Sequence, residues 1–113
     1  MNGANMYSTI SADTEVITLI NIFDVDPERQ DDLIEVLDSA TVEVMRRIPG
    51  FVSANIHASL DRTRVVNYAQ WRSISDFEAM LGREDVKPHM AKASELATAN
   101  PKLYQVKSVH HVD

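Results

Sequence analysis

The chain has 113 residues, 44% of them hydrophobic and 25% charged, and a formal net charge of -6. Such a length and composition indicate one globular domain, and the acidic balance argues against a nucleic-acid or anionic-membrane surface. The chain contains no cysteine, which excludes disulfides, thiol catalysis and cysteine-ligated metal sites.

The sequence carries no signal for a membrane or for export. No apolar run approaches the ~20 residues that a membrane-spanning helix needs. The N-terminus lacks the charged start and apolar core of a signal peptide. Together with the absence of cysteine, these features predict a cytoplasmic protein with neither a membrane nor a nucleic-acid partner.

The first part of the chain predicts a tail, a strand and a helix. Residues 1–14 are small and polar and predict a flexible tail, which leaves one folded domain over residues 15–113. Residues 15–25 are mostly β-branched or large and apolar, as in a strand buried on both faces. Asp26 and Pro27 suit the N-cap and first position of a helix. The core-facing side of that helix is marked by apolar residues at helical spacing: Leu33, Leu37, Ala40, Val44 and Ile48.

The clearest signal is a β-hairpin over residues 51–72, where two runs rich in β-branched, small and aromatic residues flank a polar link at 61–62. This link sets four cross-strand pairs on one face: Ala58 with Val65, Ile56 with Asn67, Ala54 with Ala69, and Val52 with Trp71. The alanines leave space beside the amide of Asn67 and the indole of Trp71. The other face carries mixed residues, so neither face is typical of a solvated sheet. We therefore expect helices to cover one face and a second subunit to cover the other.

After the hairpin, the sequence predicts a helix in two pieces and a final strand. Ser73 and Asp76 resemble a capping box that begins the first piece. The second piece is predicted from about residue 85 to residue 97, and the Asn-Pro pair at 100–101 ends it. Residues 102–112 are typical of a last strand. The order β-α-β-β-α-β predicts a ferredoxin-like α+β fold, with four antiparallel strands covered on one side by helices.

The sequence contains no Gly-rich phosphate loop, nucleophile elbow or His-Glu-x-x-His pattern. Asn67 and Trp71, four residues apart in one predicted strand, share a face. An amide can orient a substrate oxygen there, and an indole offers a flat wall with one N–H donor. In the plain alternative, Trp71 is a core aromatic and Asn67 satisfies a backbone group. His89 is expected on the inward face of the last helix, as a base for a phenol or enol or as a hydrogen-bonded core residue.

The remaining candidates have weaker chemical signals. His57 lies on the face away from Asn67, where a dimer contact is expected. His110 and His111 are adjacent in a predicted strand and so point to opposite faces, which argues against a shared metal site. We predict no metal site. Three large apolar residues form either plain core or the lining of an apolar pocket: Phe77, Met80 and Met90.

The hairpin and its borders contain four short motifs: Pro49-Gly50-Phe51, Ser53-Ala54, His57-Ala58-Ser59 and Val65-Val66-Asn67-Tyr68-Ala69-Gln70-Trp71. Together they resemble the antibiotic biosynthesis monooxygenase family, and more closely its members that oxidise anthrone-type aromatic polyketides to quinones, as in actinorhodin biosynthesis. The resemblance covers nearly the whole chain after residue 14. It implies a ferredoxin-like subunit, a homodimer whose two sheets pack into an α+β barrel, and a substrate pocket between sheet and helices.

The resemblance also implies oxygen chemistry without flavin, haem or metal, in which a bound phenol or enol is deprotonated and its carbanion reduces O₂. Asn67 and Trp71 match positions that bind substrate or peroxide. Lys87-Pro88-His89-Met90 resembles a proline-histidine pair of the wider family, which adds His89 as a third catalytic candidate. The haem-ligating histidine of haem-degrading relatives has no counterpart at 77–81. The expected substrate-binding residues are Ala54, Ala69, Phe77, Met80 and Met90.

Two positions depart from the anthrone enzymes. Phe77 stands where they carry a tyrosine, and a later arginine falls near Ala91, so two polar contacts to substrate are missing. The leading hypothesis is a homodimeric, cofactor-independent monooxygenase that uses O₂ to oxidise a planar phenolic, anthrone or quinol-type substrate to a quinone. The alternative is a non-catalytic dimeric α+β-barrel protein that binds a small aromatic ligand.

Overall fold

The structure is a computed structural model that describes residues 7–113, so residues 1–6 of the predicted tail lie outside the described residues. Within that range the chain forms four strands and three α-helices. In chain order these are β1 (Ile17–Val25), α1 (Gln30–Glu43), β2 (Phe51–Ala58), β3 (Arg64–Trp71), α2 (Ile74–Leu81), α3 (Lys87–Leu96) and β4 (Ala97–Tyr104). Two short 3-10 helices, Pro27–Arg29 and Met45–Arg47, flank α1.

The strands form one antiparallel sheet in the order β2-β3-β1-β4. This order confirms the predicted ferredoxin-like α+β fold. β1 and β3 are neighbours in the centre, while β2 and β4 form the edges. Among the described helices, none is long and apolar enough to cross a membrane. The cytoplasmic location stays a prediction.

The hairpin register agrees with the sequence except at its open end. The pairs Ala58 with Val65, Ile56 with Asn67 and Ala54 with Ala69 are confirmed. The predicted pair of Val52 with Trp71 is wrong, because an irregularity between Phe51 and Ser53 places Phe51 opposite Trp71. A bulge of this kind adds one residue to a strand and shifts its pairing beyond that point.

The final strand begins earlier than predicted. β4 is Ala97–Tyr104 and follows α3 directly, so the predicted strand at 102–112 and the predicted break at 100–101 are wrong. Pro101 is tolerated inside β4 because an edge strand need not donate every N–H to the ladder. His110 and His111 lie beyond the strand, so strand alternation does not orient them.

Hydrogen bonds from polar side chains fix the helices to the sheet. The buried Gln30, first residue of α1, donates through Nε2 to the carbonyl oxygens of Ser59 (3.1 Å) and Arg64 (2.9 Å), and so holds the hairpin loop. The N-cap half of the predicted capping box is confirmed, since the Asp76 N–H donates to Ser73 Oγ at 3.1 Å. The first contact holds the start of α1 against the hairpin loop, and the second caps the start of α2.

The core divides into two clusters on the helix-covered face of the sheet. One surrounds Trp71 and includes Leu19 and Phe77. The other surrounds Leu33, where α1 packs on Phe23 and Val65 of the central strands. The division matters because an apolar cavity opens between these clusters.

The opposite, outer face of the sheet carries a polar ladder. Ser53 Oγ donates to Gln70 Oε1 at 2.6 Å, and Gln70 Nε2 donates to the Thr9 carbonyl oxygen at 2.8 Å. Ser8 Oγ donates to Asn55 Oδ1 at 2.7 Å. Residues 8 and 9 of the predicted tail therefore contact this face. That a second subunit covers the remainder stays a prediction.

Candidate active site

A cavity of about 310 Å³ lies between the sheet and the helices. Its walls are mostly apolar and come from α1, α2 and α3 as well as β1, β3 and β4. Leu19 and Phe77 belong to the cluster around Trp71, whereas Phe23 belongs to the cluster around Leu33, so the cavity separates the two halves of the core. Five residues with polar side chains line it: Asn21, Asn67, His89, Ser94 and Lys102.

The structure brings together five of the eight residues predicted for the site. They line the cavity from the sheet and from two helices: Asn67, Phe77, Met80, His89 and Met90. The other three, Ala54, Ala69 and Trp71, are not part of the lining. Their side of the sheet is packed solid, so the space predicted beside the alanines is filled by the Trp71 cluster and the cavity opens nearer β4. The functional roles of all eight stay predictions.

Trp71 is a core residue in this structure. Only 2% of it is exposed, and its ring makes edge contacts with Phe51, at 5.5 Å between centroids, and with Phe77, at 6.2 Å. Phe77 lines the cavity, and Trp71 therefore supports a wall residue from behind. The geometry matches the plain alternative that the sequence left open for this tryptophan.

Asn67 carries the strongest chemical signal in the cavity. It lies in the middle of β3, and its side-chain Oδ1 is buried without a hydrogen-bond partner among the described residues. The plain alternative, in which the amide oxygen accepts from a backbone group, therefore does not hold for this atom. A buried acceptor left unpaired costs about 1–3 kcal/mol. A ligand that donates a hydrogen bond would recover this cost.

Asn21 is a site residue that the sequence reading missed. It is the direct cross-strand partner of Asn67 in the β1–β3 ladder and lines the same cavity. Its Oδ1 accepts a hydrogen bond of 3.2 Å from the Asn100 N–H of β4, which leaves the two Nδ2 hydrogens as available donors. The signal was a single amide in a run of large apolar residues, on the face shared with Leu19 and Phe23.

His89 enters the cavity from α3. It lies in the first turn of that helix, after Pro88, and is half-buried. His89 lines the cavity from the helix side, whereas Asn21 and Asn67 line it from the sheet. Imidazole is the side chain whose ordinary titration range best suits proton transfer near neutral pH.

The rim of the cavity is apolar and partly exposed. Leu81 and Met90 are 42% and 43% exposed, and Leu103 of β4 completes this side. Phe77 and Met80 are buried deeper in the same cavity. Ala91, near the arginine position of the anthrone enzymes, is exposed and not part of the lining. A flat apolar molecule would cover the rim and still reach the amides.

The described residues offer no metal centre, because no three histidine, cysteine, aspartate or glutamate side chains among them lie close enough together to hold a metal ion. The polar side chains that line the cavity are the two amides, the imidazole, the Ser94 hydroxyl and the Lys102 ammonium. Amides hydrogen-bond oxygen atoms, and imidazole exchanges a proton. The arrangement is therefore suited to holding an oxygen-bearing ring and removing a proton from it.

Comparison with known proteins places this geometry in context. Residues 16–92 match the sequence model of the family described as antibiotic biosynthesis monooxygenase. Tetracenomycin-F1 monooxygenase of Streptomyces glaucescens is 41% identical over 99 residues, 88% of each chain.

Solved structures show the same fold. The monooxygenase from the gene ActVA-Orf6 of Streptomyces coelicolor, solved with the ligand nanaomycin D, has a TM-score of 0.75 at 29% identity and covers 86% of this chain and 92% of its own. The cofactor-independent oxygenase SnoaB of Streptomyces nogalater has a TM-score of 0.71 at 22% identity, over 85% of this chain and 97% of its own.

Proposed function

Because the chain belongs to the antibiotic biosynthesis monooxygenase family, we propose that it uses O₂ to oxidise a planar phenolic or anthrone-type polyketide to a quinone without a bound cofactor. Membership of the family makes the chain a monooxygenase. The class of substrate and the absence of a bound cofactor are what we propose in addition. The observation that carries the proposal is the apolar cavity with one buried, unpartnered amide oxygen at Asn67.

The cavity suits a flat aromatic molecule with oxygen on one edge. Its volume of about 310 Å³ lies at the lower end of the usual range for small-molecule sites. Asn67 Oδ1 accepts a hydrogen bond and Asn21 Nδ2 donates one, so the pair recognises a phenolic hydroxyl next to a carbonyl. Apolar walls take up the rings, and burial of apolar surface contributes about 25 cal/mol per Å².

The proposed reaction begins with a proton transfer. His89 takes a proton from the bound substrate, and the electron pair of the broken C–H or O–H bond stays on the aromatic system. The resulting anion passes one electron to O₂, and the two radicals combine to a peroxide at the reacting carbon. The peroxide loses water, so that a ring CH₂ and O₂ become a ring carbonyl and H₂O. Asn21 Nδ2 donates to the substrate oxygen on which negative charge develops, and Asn67 Oδ1 accepts from the neighbouring hydroxyl.

Oxygen consumption with dithranol as a model anthrone tests this proposal. The purified protein, treated with a chelator, is expected to consume O₂ faster than the buffer alone. Asn67→Ala is expected to lower kcat/KM by about 10–100-fold, since it leaves a buried substrate hydroxyl without an acceptor, which costs about 1–3 kcal/mol. Asn55→Ala, which alters an amide on the outer face, is the matched control and is expected to keep full activity. Equal turnover in Asn67→Ala and wild type would remove Asn67 from the mechanism.

We also propose that the enzyme is a homodimer formed through the outer sheet face. Ile20, Ile22 and Tyr68 lie on that face and are only half-buried in a single chain. Two sheets that pack face to face bury such residues. Light scattering at micromolar concentration is expected to give twice the mass of one chain, and the mass of a single chain would contradict the proposal.

A further inference from the structure

His89 lines two depressions of different character. One is the apolar cavity, and the other is a polar groove of about 340 Å³ between α1 and α3, here called the α1–α3 groove. The residues that line the groove are Asp32, Glu35, Val36, Ser39, Glu43, His89 and Lys92. Among the residues of these two linings, His89 is the one they share.

The two linings have opposite chemistry because helix α1 has two faces. Leu37 and Ala40 point to the cavity, whereas Glu35 and Ser39 point to the groove. These positions follow the helical period, which separates an apolar and a polar side. His89, from α3, lies where the two sides meet. An imidazole in this position borders the apolar cavity on one side and the α1–α3 groove on the other.

We propose that His89 carries protons between the bound substrate and solvent through the α1–α3 groove. This inference rests on the proposed role of His89 as the base. The proton passes from a substrate C–H or O–H to an imidazole nitrogen, and the bonding electron pair remains on the substrate. Solvent water in the groove then takes the proton from the imidazolium, and the reverse path returns one when the peroxide forms.

The groove matters because a bound substrate blocks proton exchange between His89 and solvent through the rim of the cavity. A flat molecule in the cavity covers the apolar rim formed by Leu81, Met90 and Leu103. Proton exchange through that rim then stops, because apolar surfaces in contact exclude water. The groove is not lined by rim residues, so His89 stays in contact with solvent throughout turnover.

Charges of both signs lie around His89: the carboxylates of Asp32, Glu35 and Glu43 on α1 and the ammonium of Lys92 on α3 line the same groove. Asp85 precedes α3, and the pKa of its carboxyl lies below the ordinary value, mainly because Arg83 donates a hydrogen bond to it and to a smaller extent because of His89. The charged groups that face His89 or line its two depressions are Asp32, Glu35, Glu43, Asp85, Lys92 and Lys102.

An NMR titration of the His89 imidazole tests whether the charged residues that line the α1–α3 groove act on His89. It needs no turnover. His89→Gln identifies the signal. Glu35→Gln is expected to move the titration midpoint to lower pH by about 0.3 units and Lys92→Gln to higher pH by a similar amount, the size of one charge at roughly 10 Å in water. Asp38→Asn makes the same change in charge on α1 outside both linings and should shift the midpoint least. Shifts in the same direction, or no larger than that of Asp38→Asn, would overturn the inference.

The proton path itself is tested by anaerobic exchange of deuterium from the reacting carbon of labelled dithranol. Without O₂ the reaction stops at proton transfer, so loss of label to water reports the path alone. Ser39→Met narrows the groove without changing charge and is expected to slow this loss several-fold at saturating substrate. A rate of label loss equal to that of the wild type would overturn the proposed proton path through the groove. If the wild type exchanges label but consumes no O₂, the proposed oxidation fails while the path stands.

Discussion

The helix-covered face of the sheet has two ends that differ in what they bury. At one end Trp71 packs between Phe51 and Phe77 with almost no exposed surface. At the other end Asn21 and Asn67 face each other across β1 and β3 beneath a cavity of about 310 Å³. The two ends share β1 and β3 but differ in what flanks them: β2 borders the packed end, whereas β4 and α3 border the cavity.

Within this small domain, the packed Trp71 end contributes stability and the cavity end is the candidate active site. A packed aromatic contributes dispersion and burial, whereas a cavity with an unpaired amide oxygen costs free energy of unfolding. A chain of 113 residues has little stability in excess, since domains of this size are stable by about 5–15 kcal/mol. The tightly packed Trp71 end therefore offsets the cost of the cavity end.

The largest expected effect is on stability at the packed end. Trp71→Ala should lower the free energy of unfolding by about 3–5 kcal/mol, the usual cost of removing a large buried aromatic. Urea denaturation followed by circular dichroism measures it. Trp71→Phe keeps an aromatic ring and should fold, with oxygen uptake within a few-fold of wild type.

The Phe variant decides between two roles for the tryptophan. If Trp71→Phe is folded but loses more than about 100-fold in kcat/KM, a loss of ~2.7 kcal/mol in transition-state stabilisation, the indole N–H takes part in the reaction. In that case the sequence-based assignment of Trp71 as a catalytic residue is right, and the contrast between the two ends fails.

The next largest effect is expected at the cavity end, where a substitution should raise the free energy of unfolding instead of lowering it. Asn67→Leu removes an unpaired buried acceptor and fills part of the cavity, so the free energy of unfolding should rise by about 1 kcal/mol. Oxygen uptake should fall to the level of the uncatalysed reaction. Urea denaturation and an oxygen electrode measure the two quantities on one preparation. A destabilised Asn67→Leu variant would show that Asn67 supports the fold instead.

The sequence predicted the fold and part of the site for identifiable reasons. Alternation placed Asn67 on the helix face, and helical spacing placed His89 opposite it. Pairing at the open end of the hairpin could not be predicted, because a bulge next to Phe51 leaves no clear mark in sequence. The start of β4 was missed because Pro101 is typical of a break unless the strand lies at an edge.

The position of the cavity was harder to predict than its residues. Alanines in β2 and β3 indicated space at Ala54 and Ala69, but small side chains leave a void only where no larger neighbour reaches them. Trp71 and Phe51 pack in that region from the same pair of strands. The void lies instead nearer Asn21, in a strand whose apolar composition concealed its one inward amide.

The smallest expected effect tests whether Asn21 and Asn67 act as one unit. Asn21→Ala removes a donor to substrate and should lower kcat/KM by about tenfold, or ~1.4 kcal/mol. It also removes the acceptor of the Asn100 N–H, so hydrogen exchange at that amide should become faster. Stability should change little, because β4 is an edge strand and water can replace this bond.

The double variant Asn21→Ala with Asn67→Ala completes the test. If both amides hold adjacent oxygens of one substrate, loss of either displaces the ring and the two losses in kcat/KM are not additive. The double variant should then be close to Asn67→Ala alone. Strict additivity would mean that the two amides bind independent groups, although cross-strand partners on one face lie only about 5 Å apart.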